Sequence, residues 1–109
     1  MLKRQNRLAK INKKGQSKFF ASPNFNIRIS GNKEKETRFG IVVSKKTSKK
    51  AVLRNKTKRI IREIIRENIK DIAKGKDIII VSKKTLNQKL RKEAEQDLLN
   101  VFKKARIIK

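Results

Sequence analysis

The chain contains no cysteine and no histidine. Without thiols there are no disulfides and no thiolate metal sites, and the redox compartment stays open. Without imidazole, serine–histidine and cysteine–histidine nucleophiles are excluded, and so is imidazole metal binding. Long apolar runs are also missing. No stretch approaches the length of a membrane span, and the N-terminus lacks the apolar segment of a secretory signal. The expectation is a soluble, cytoplasmic protein with no membrane partner. Negative charge is scarce as well: 9 Asp and Glu stand against 33 Lys and Arg, a formal net charge of +24 over 109 residues. No carboxylate precedes Glu34, whereas nine Lys and Arg do. Self-repulsion at such a charge opposes compaction and exceeds what solubility requires. A polyanionic partner is the physical reason to keep it.

The apolar residues that are present carry clear periods, and the length suits one domain with one modest core. LKRQNRLAKINKK (2–14) predicts a short helix with Leu2, Leu8 and Ile11 inward, ending near Gly15. Pro23 then interrupts. NFNIRIS (24–30) alternates, with Phe25, Ile27 and Ile29 on one side and Asn26, Arg28 and Ser30 on the other, the period of a strand with one covered face. GNKEKE (31–36) reads as a hairpin loop, and RFGIVVS (38–44) as the more central partner strand. A helical pattern follows from Val52 to about Ala73, ended by Gly75. DIIIVS (77–82) reads as a strand buried on both faces. The segment 86–108, with Leu86, Leu90, Ala94, Leu98, Val101 and Phe102 at helical spacing, is expected to close the fold. The order is α-β-β-α-β-α, an α+β domain with helices packed on a small sheet.

On a helical wheel Leu53, Ile60, Ile61, Ile64 and Ile65 share one arc. Lys58, Arg59, Arg62 and Arg66 lie opposite with Asn55, and Arg54 is at the border. A solvated helix face normally mixes signs. Here Glu63 and Glu67 are the only acids between residues 37 and 70, which favours nucleic-acid contact over a plain solvent face. Arginine suits that role because its planar fork grips phosphate at two points. Asn55 is read either as a contact to a sugar or base edge or as a cap of the helix start. In SKKTSKK (44–50), Lys45, Lys46, Lys49 and Lys50 either form a soluble connector or extend the same anionic footprint, and their place just before the basic helix favours the footprint. Phe25, Phe39, Phe19 and Phe20 are core residues or stacking platforms for single-stranded nucleic acid, and both readings stand at this point. A self-contained nuclease would need a general acid and base or a carboxylate metal cluster. Asp71 with Asp77, or Glu93 with Asp97, are the pairs on offer, and structural roles suffice for both.

RFGIVVSKK (38–46) followed by KKAVLRNKTKRIIRE (49–63) resembles the bacterial ribonuclease P protein subunit. Its hallmark is a strand ending in G-x-x-V-S-K-K and a helix opening with A-V-x-R-N-x-x-K-R-x-x-R-E. NRL (6–8), KGxS (14–17) and DIIIV (77–81) extend the similarity, so the whole chain, 1–109, is read as one such RNA-binding domain. The resemblance implies a mixed sheet with a left-handed β-α-β crossover, against the usual right-handed preference. It also implies a protein cofactor to a catalytic RNA that removes the 5′ leader of precursor tRNA. Hydrolysis would use divalent metal, Mg2+, held mainly by the RNA and not by the protein alone, with one protein per RNA. Carried over by position, Arg54, Asn55, Lys58, Arg59 and Arg62 face the catalytic RNA, beside Lys45 and Lys46. Lys49, Lys50 and Arg66 extend that surface. The leader cleft would use Phe25 and Phe39, with Arg28. Phenylalanines common on the family's first helix correspond here to Leu8 and Asn12, which makes Phe19 and Phe20 candidates to replace them. The alternative is a stand-alone RNA-binding protein such as a ribosomal protein.

Overall fold

The computed structural model describes residues 17–32 and 35–108, so the helix expected over 2–14 lies outside the described residues. Alternation in FNIRISG produces strand β2 (Phe25–Gly31), with Phe25, Ile27 and Ile29 buried and Asn26 and Arg28 turned to the other side. An unanticipated strand precedes it. β1 (Ser17–Ala21) pairs antiparallel with β2, with Phe19 opposite Arg28. Two consecutive phenylalanines mask its period, and an edge strand needs no strict alternation. Pro23 falls in the connecting turn, where its missing N–H removes no ladder bond.

The segment Arg38–Val42 is a strand, β3, but the hairpin reading of 31–36 is wrong. β4 (Lys76–Ser82) lies between β2 and β3, giving the sheet order β1-β2-β4-β3. β4 is antiparallel to β2 and parallel to β3, so the sheet is mixed and β3 is an edge strand, not a central one. The physical reason is coverage: DIIIV is the most continuously apolar strand, and the centre pairs both its edges, although the expected burial on both faces is not met because the helices cover only one. Ile78 and Ile80 are fully buried while Ile79 and Val81 are half-buried. Asn32 and Thr37 are both held at the start of β4. Asn32 N–H donates to Gly75 O at 2.9 Å, and Asn32 Nδ2 donates to Asp77 Oδ1 at 2.7 Å. Thr37 Oγ1 donates to Ala73 O and accepts from the Lys76 N–H at 3.3 Å.

β3 connects to β4 through helix α1 (Ala51–Asn68) and a short 3-10 turn, Ile69–Asp71. The helix stops earlier than expected. Gly75, at φ 78°, makes the turn into β4 and does not end the helix. Helix α2 (Arg91–Lys104) is also shorter than its apolar pattern, because residues 86–90 are turn and loop, although Leu86 remains buried. Among the described residues the order is β-β-β-α-β-α.

Both helices cover one face of the sheet. Ile60, Ile61, Ile64 and Ile65 of α1 join Ala94, Leu98, Val101 and Phe102 of α2 over the inner row of the strands. Leu53, placed in the same arc by periodicity, is 37% exposed, since burial along α1 begins only at Thr57. Thr57 is fully buried, and its hydroxyl donates to Leu53 O at 2.8 Å and accepts from the Leu86 N–H at 2.9 Å. Each buried isoleucine contributes about 1.5–3 kcal/mol. Two exposed unit charges about 4 Å apart in water repel by only about 1 kcal/mol. The inner face of α1 can therefore carry a strongly cationic outer face.

Candidate nucleic-acid interface

The inner isoleucines set the rotation of α1, and that rotation decides what its other side presents. Asn55, Lys58, Arg59, Arg62 and Arg66 line an outer depression of about 570 Å³, with Glu63 at its rim. The helix begins at Ala51, so Asn55 is in its second turn and exposed; the capping role is ruled out. Among the described residues Lys58, Arg59, Arg62 and Arg66 have no carboxylate partner. The two acids of α1 do not neutralise them. Glu67 pairs with Arg91 Nη2, and Glu63 lies 3.9 Å from Arg91 Nε, so both serve the joint with α2.

The lysine-rich segment before α1 is an ordered turn, not a loose connector. Thr47 and Ser48 N–H groups both donate to Ser44 O, and Thr47 Oγ1 donates to Ser82 O at 3.4 Å. Arg54, half-buried, donates through Nη1 to Ser48 O at 2.9 Å. Arg54 thus fixes the turn as well as edging the cationic stripe. Lys45, Lys46, Lys49 and Lys50 project from it exposed. The turn and the outer side of α1 carry mainly positive charge, with Glu63 at the rim.

A second surface is the sheet face that the two helices leave uncovered. A groove of about 440 Å³ runs along it, lined by Phe19, Arg28, Asn26, Ile79 and Val81 among others. Phe19 is 75% exposed, and the Arg28 guanidinium lies 5.7 Å from its ring centroid while Arg28 Nε donates to Ser17 Oγ at 3.1 Å. Register explains the grouping: Phe19, Arg28, Ile79 and Gly40 form one row across the strands. Phe20 points the other way by alternation, is half-buried, and packs against the core while still bordering this groove. Phe25 and Phe39, the first candidates for a leader cleft, are corrected here. They are 0% and 3% exposed on the helix-covered side of the sheet, where no strand of RNA reaches them. Alternation located these phenylalanines on a face but did not say which face the helices would take. Ile79, Val81 and Asn26, which replace them in the groove, were not anticipated. Their only sequence signal was the half-apolar alternate row of β2 and β4.

Asp77, Asp97, Glu95 and Glu93 have structural partners. Asp77, 1% exposed, accepts two bonds at 2.9 Å from Arg38 as well as the one from Asn32. Asp97 Oδ2 accepts from the Ser22 hydroxyl and the Asn24 N–H, both at 2.9 Å, and so holds the β1–β2 turn. Glu95 accepts from Asn68 Nδ2 at 3.1 Å. Neither Asp71 with Asp77 nor Glu93 with Asp97 forms an acid–base pair.

A strand, β3, leading through a lysine turn into a basic helix α1 is the arrangement that the RFGIVVSKK…RNKTKRIIRE motif implied. The family model of ribonuclease P matches residues 1–106. The chain belongs to the ribonuclease P protein family. The ribonuclease P protein component of Fusobacterium nucleatum is 44% identical over 86 residues, covering 75% of this chain and 77% of that one. That of Bacillus mycoides is 34% identical over 111 residues, covering 95% and 94%. Solved RNase P proteins share the fold. The Staphylococcus aureus structure superposes with a TM-score of 0.69 at 33% identity over 85% of this chain and 84% of that one. The Thermotoga maritima structure gives 0.67 at 34% identity over 82% and 84%. Among the described residues no helix is long and apolar enough to cross a membrane.

Proposed function

We propose that this ribonuclease P protein acts as the protein subunit of an endoribonucleoprotein that removes the 5′ leader of precursor tRNA, with hydrolysis carried by the RNA subunit. The observation that carries this reading is the unopposed cationic side of α1, in a chain of this family. Lys45, Lys46, Lys49, Lys50, Arg54, Asn55, Lys58, Arg59, Arg62 and Arg66 would hold the catalytic RNA by phosphate contacts, one protein to one RNA. Each neutralised phosphate releases counterion, so assembly should weaken steeply with salt. The open sheet face would guide the single-stranded leader, with the Phe19 ring as stacking platform and Arg28 as cation beside it.

No group of three metal-ligating side chains exists among the described residues. The buried carboxylate, Asp77, is already committed to Arg38 and Asn32. In this reading the hydrolytic metal belongs to the RNA.

Reconstitution tests the proposal. Purified protein, a bacterial ribonuclease P RNA and a precursor tRNA are combined at low Mg2+, with each component omitted in turn. Leader removal should require the RNA and rise sharply when the protein is added. Cleavage by the protein alone would make it a nuclease in its own right. Tight RNA binding with no gain in cleavage would make it a stand-alone binder of the ribosomal-protein kind.

A further inference from the structure

Among the described residues β1 is an outer strand of the sheet, next to β2, and it has a groove on each side. One is the open-face groove. The other, of about 390 Å³, lies on the helix side between β1 and the end of α2. Its floor is apolar, formed by half-buried Phe20, buried Ile29 and buried Ile107. The wall exists because α2 ends in a left-handed residue, Arg106 at φ 59°, after which Ile107 folds back and its carbonyl accepts from the Ala73 N–H at 2.6 Å.

Two lysines stand at this groove. Lys18 is opposite Ile29, and Lys76 is opposite Gly31, so both belong to the strand positions on the helix side. Neither has a carboxylate partner among the described residues. The adjacent acid, Asp77, takes the other side of β4 and is neutralised by Arg38. Exposed Lys103, Lys104 and Arg106 continue the positive charge along the wall. Gly31 lines the same groove, and a Cβ there would stand in open space with no atom within 4 Å. An aromatic and aliphatic floor beside two ammonium groups matches one base and its flanking phosphates. Phe20 borders both grooves, so a strand leaving the open face meets this one after crossing the β1 edge.

We propose that the groove between β1 and the end of α2 is a further single-stranded RNA site, which takes a nucleotide of the strand after it passes over β1. The claim rests on the open face being the leader groove, and it adds length to that footprint. Its test is equilibrium binding of the intact protein to single-stranded RNAs, some just covering the open face and others several nucleotides longer. The wild type gains affinity with the added length. In K18A/K76A that gain falls roughly tenfold, and the salt slope for long strands becomes shallower by about 1.4, from two phosphates at about 0.7 each. Short strands bind as before. Gly31→Leu keeps every charge, adds bulk to the groove and removes the same gain, with folding checked by thermal melting. The control K89A/K92A removes two exposed lysines of the α2 start and leaves the gain intact. Equal losses in K89A/K92A and K18A/K76A, or a wild type with no gain from length, overturn the proposal. The double variant F19A/R28A separates the two claims. Unchanged short-strand binding there sinks the open-face reading, whereas the length dependence reports on the second groove alone.

Discussion

Helices α1 and α2 lean on the same sheet face through aliphatic inner sides, yet their outer sides differ in kind. α2 mixes signs outward, with Lys92, Glu93, Gln96, Asn100, Lys103 and Lys104 exposed. Its acids have local duties: Glu93 lies 3.8 Å from Lys84, Glu95 receives Asn68, and Asp97 holds a turn. α1 has two acids, and both are spent on Arg91 of α2. Its outer side presents Asn55, Lys58, Arg59, Arg62 and Arg66, with Glu63 alone among them as an acid. Burial accounts equally for both inner sides, so it says nothing about function. The sorting of sign on the outer side does, because clustered like charges oppose folding and need a reason outside the fold.

Substitutions can break this contrast, starting with the inner side. Ile64→Asp places an unpaired charge at a position with no solvent exposure and should abolish the cooperative melting transition. A native-like transition in that variant would mean the inner side of α1 is misassigned. Arg38→Ala comes next. It strands the buried Asp77 carboxylate with Asn32 alone, at a cost of about 3–5 kcal/mol in urea unfolding. Asp77→Asn should cost less, since the Arg38 side chain is 32% exposed and can turn to water. Equal costs would show that the carboxylate is not the member that burial penalises.

Thr57→Val retains shape but leaves the Leu86 N–H without its acceptor, for a loss of about 1–3 kcal/mol. Arg91→Ala releases both α1 acids at a half-exposed joint, and its stability change should stay under about 1 kcal/mol. Its sharper effect would be on RNA. With Glu63 and Glu67 freed beside the cationic stripe, affinity should fall although Arg91 itself lies off the stripe. Arg59→Ala closes the series. Stability should move by no more than about 0.5 kcal/mol, while assembly with the catalytic RNA weakens and its salt slope loses about 1. Lys92→Ala on α2 is the matched comparison and should leave that slope unchanged.

Much of this was legible from pattern. The isoleucine rhythm of 60–65 located the packing side of α1, and the cations opposite it followed. The alternation of Phe25, Ile27 and Ile29 located a strand and its covered row. What pattern missed depended on contacts distant in sequence. The hairpin reading of 31–36 failed because β4, more than thirty residues further on in the chain, inserts between β2 and β3. β1 was missed because an edge strand with adjacent phenylalanines has no strong period. Of the leader candidates Phe25, Phe39, Phe19, Phe20 and Arg28, Phe25 and Phe39 fell away for a related reason: periodicity separates two faces without saying which one the helices will cover.

Local spacing and composition alone determined that this protein carries a large positive charge, a two-sided helix and a motif shared with the ribonuclease P proteins. Those properties need only neighbouring residues, because a helix repeats every few positions and charge is counted, not folded. Tertiary structure decided where the acids go, which sheet face stays open and which aromatic rings see solvent. Glu63 and Glu67 count against the positive charge in sequence, yet in the fold both lean toward Arg91 of α2 at the edge of the stripe. That pairing joins residues 24 or more positions apart, and only the packing of α2 against α1 creates it.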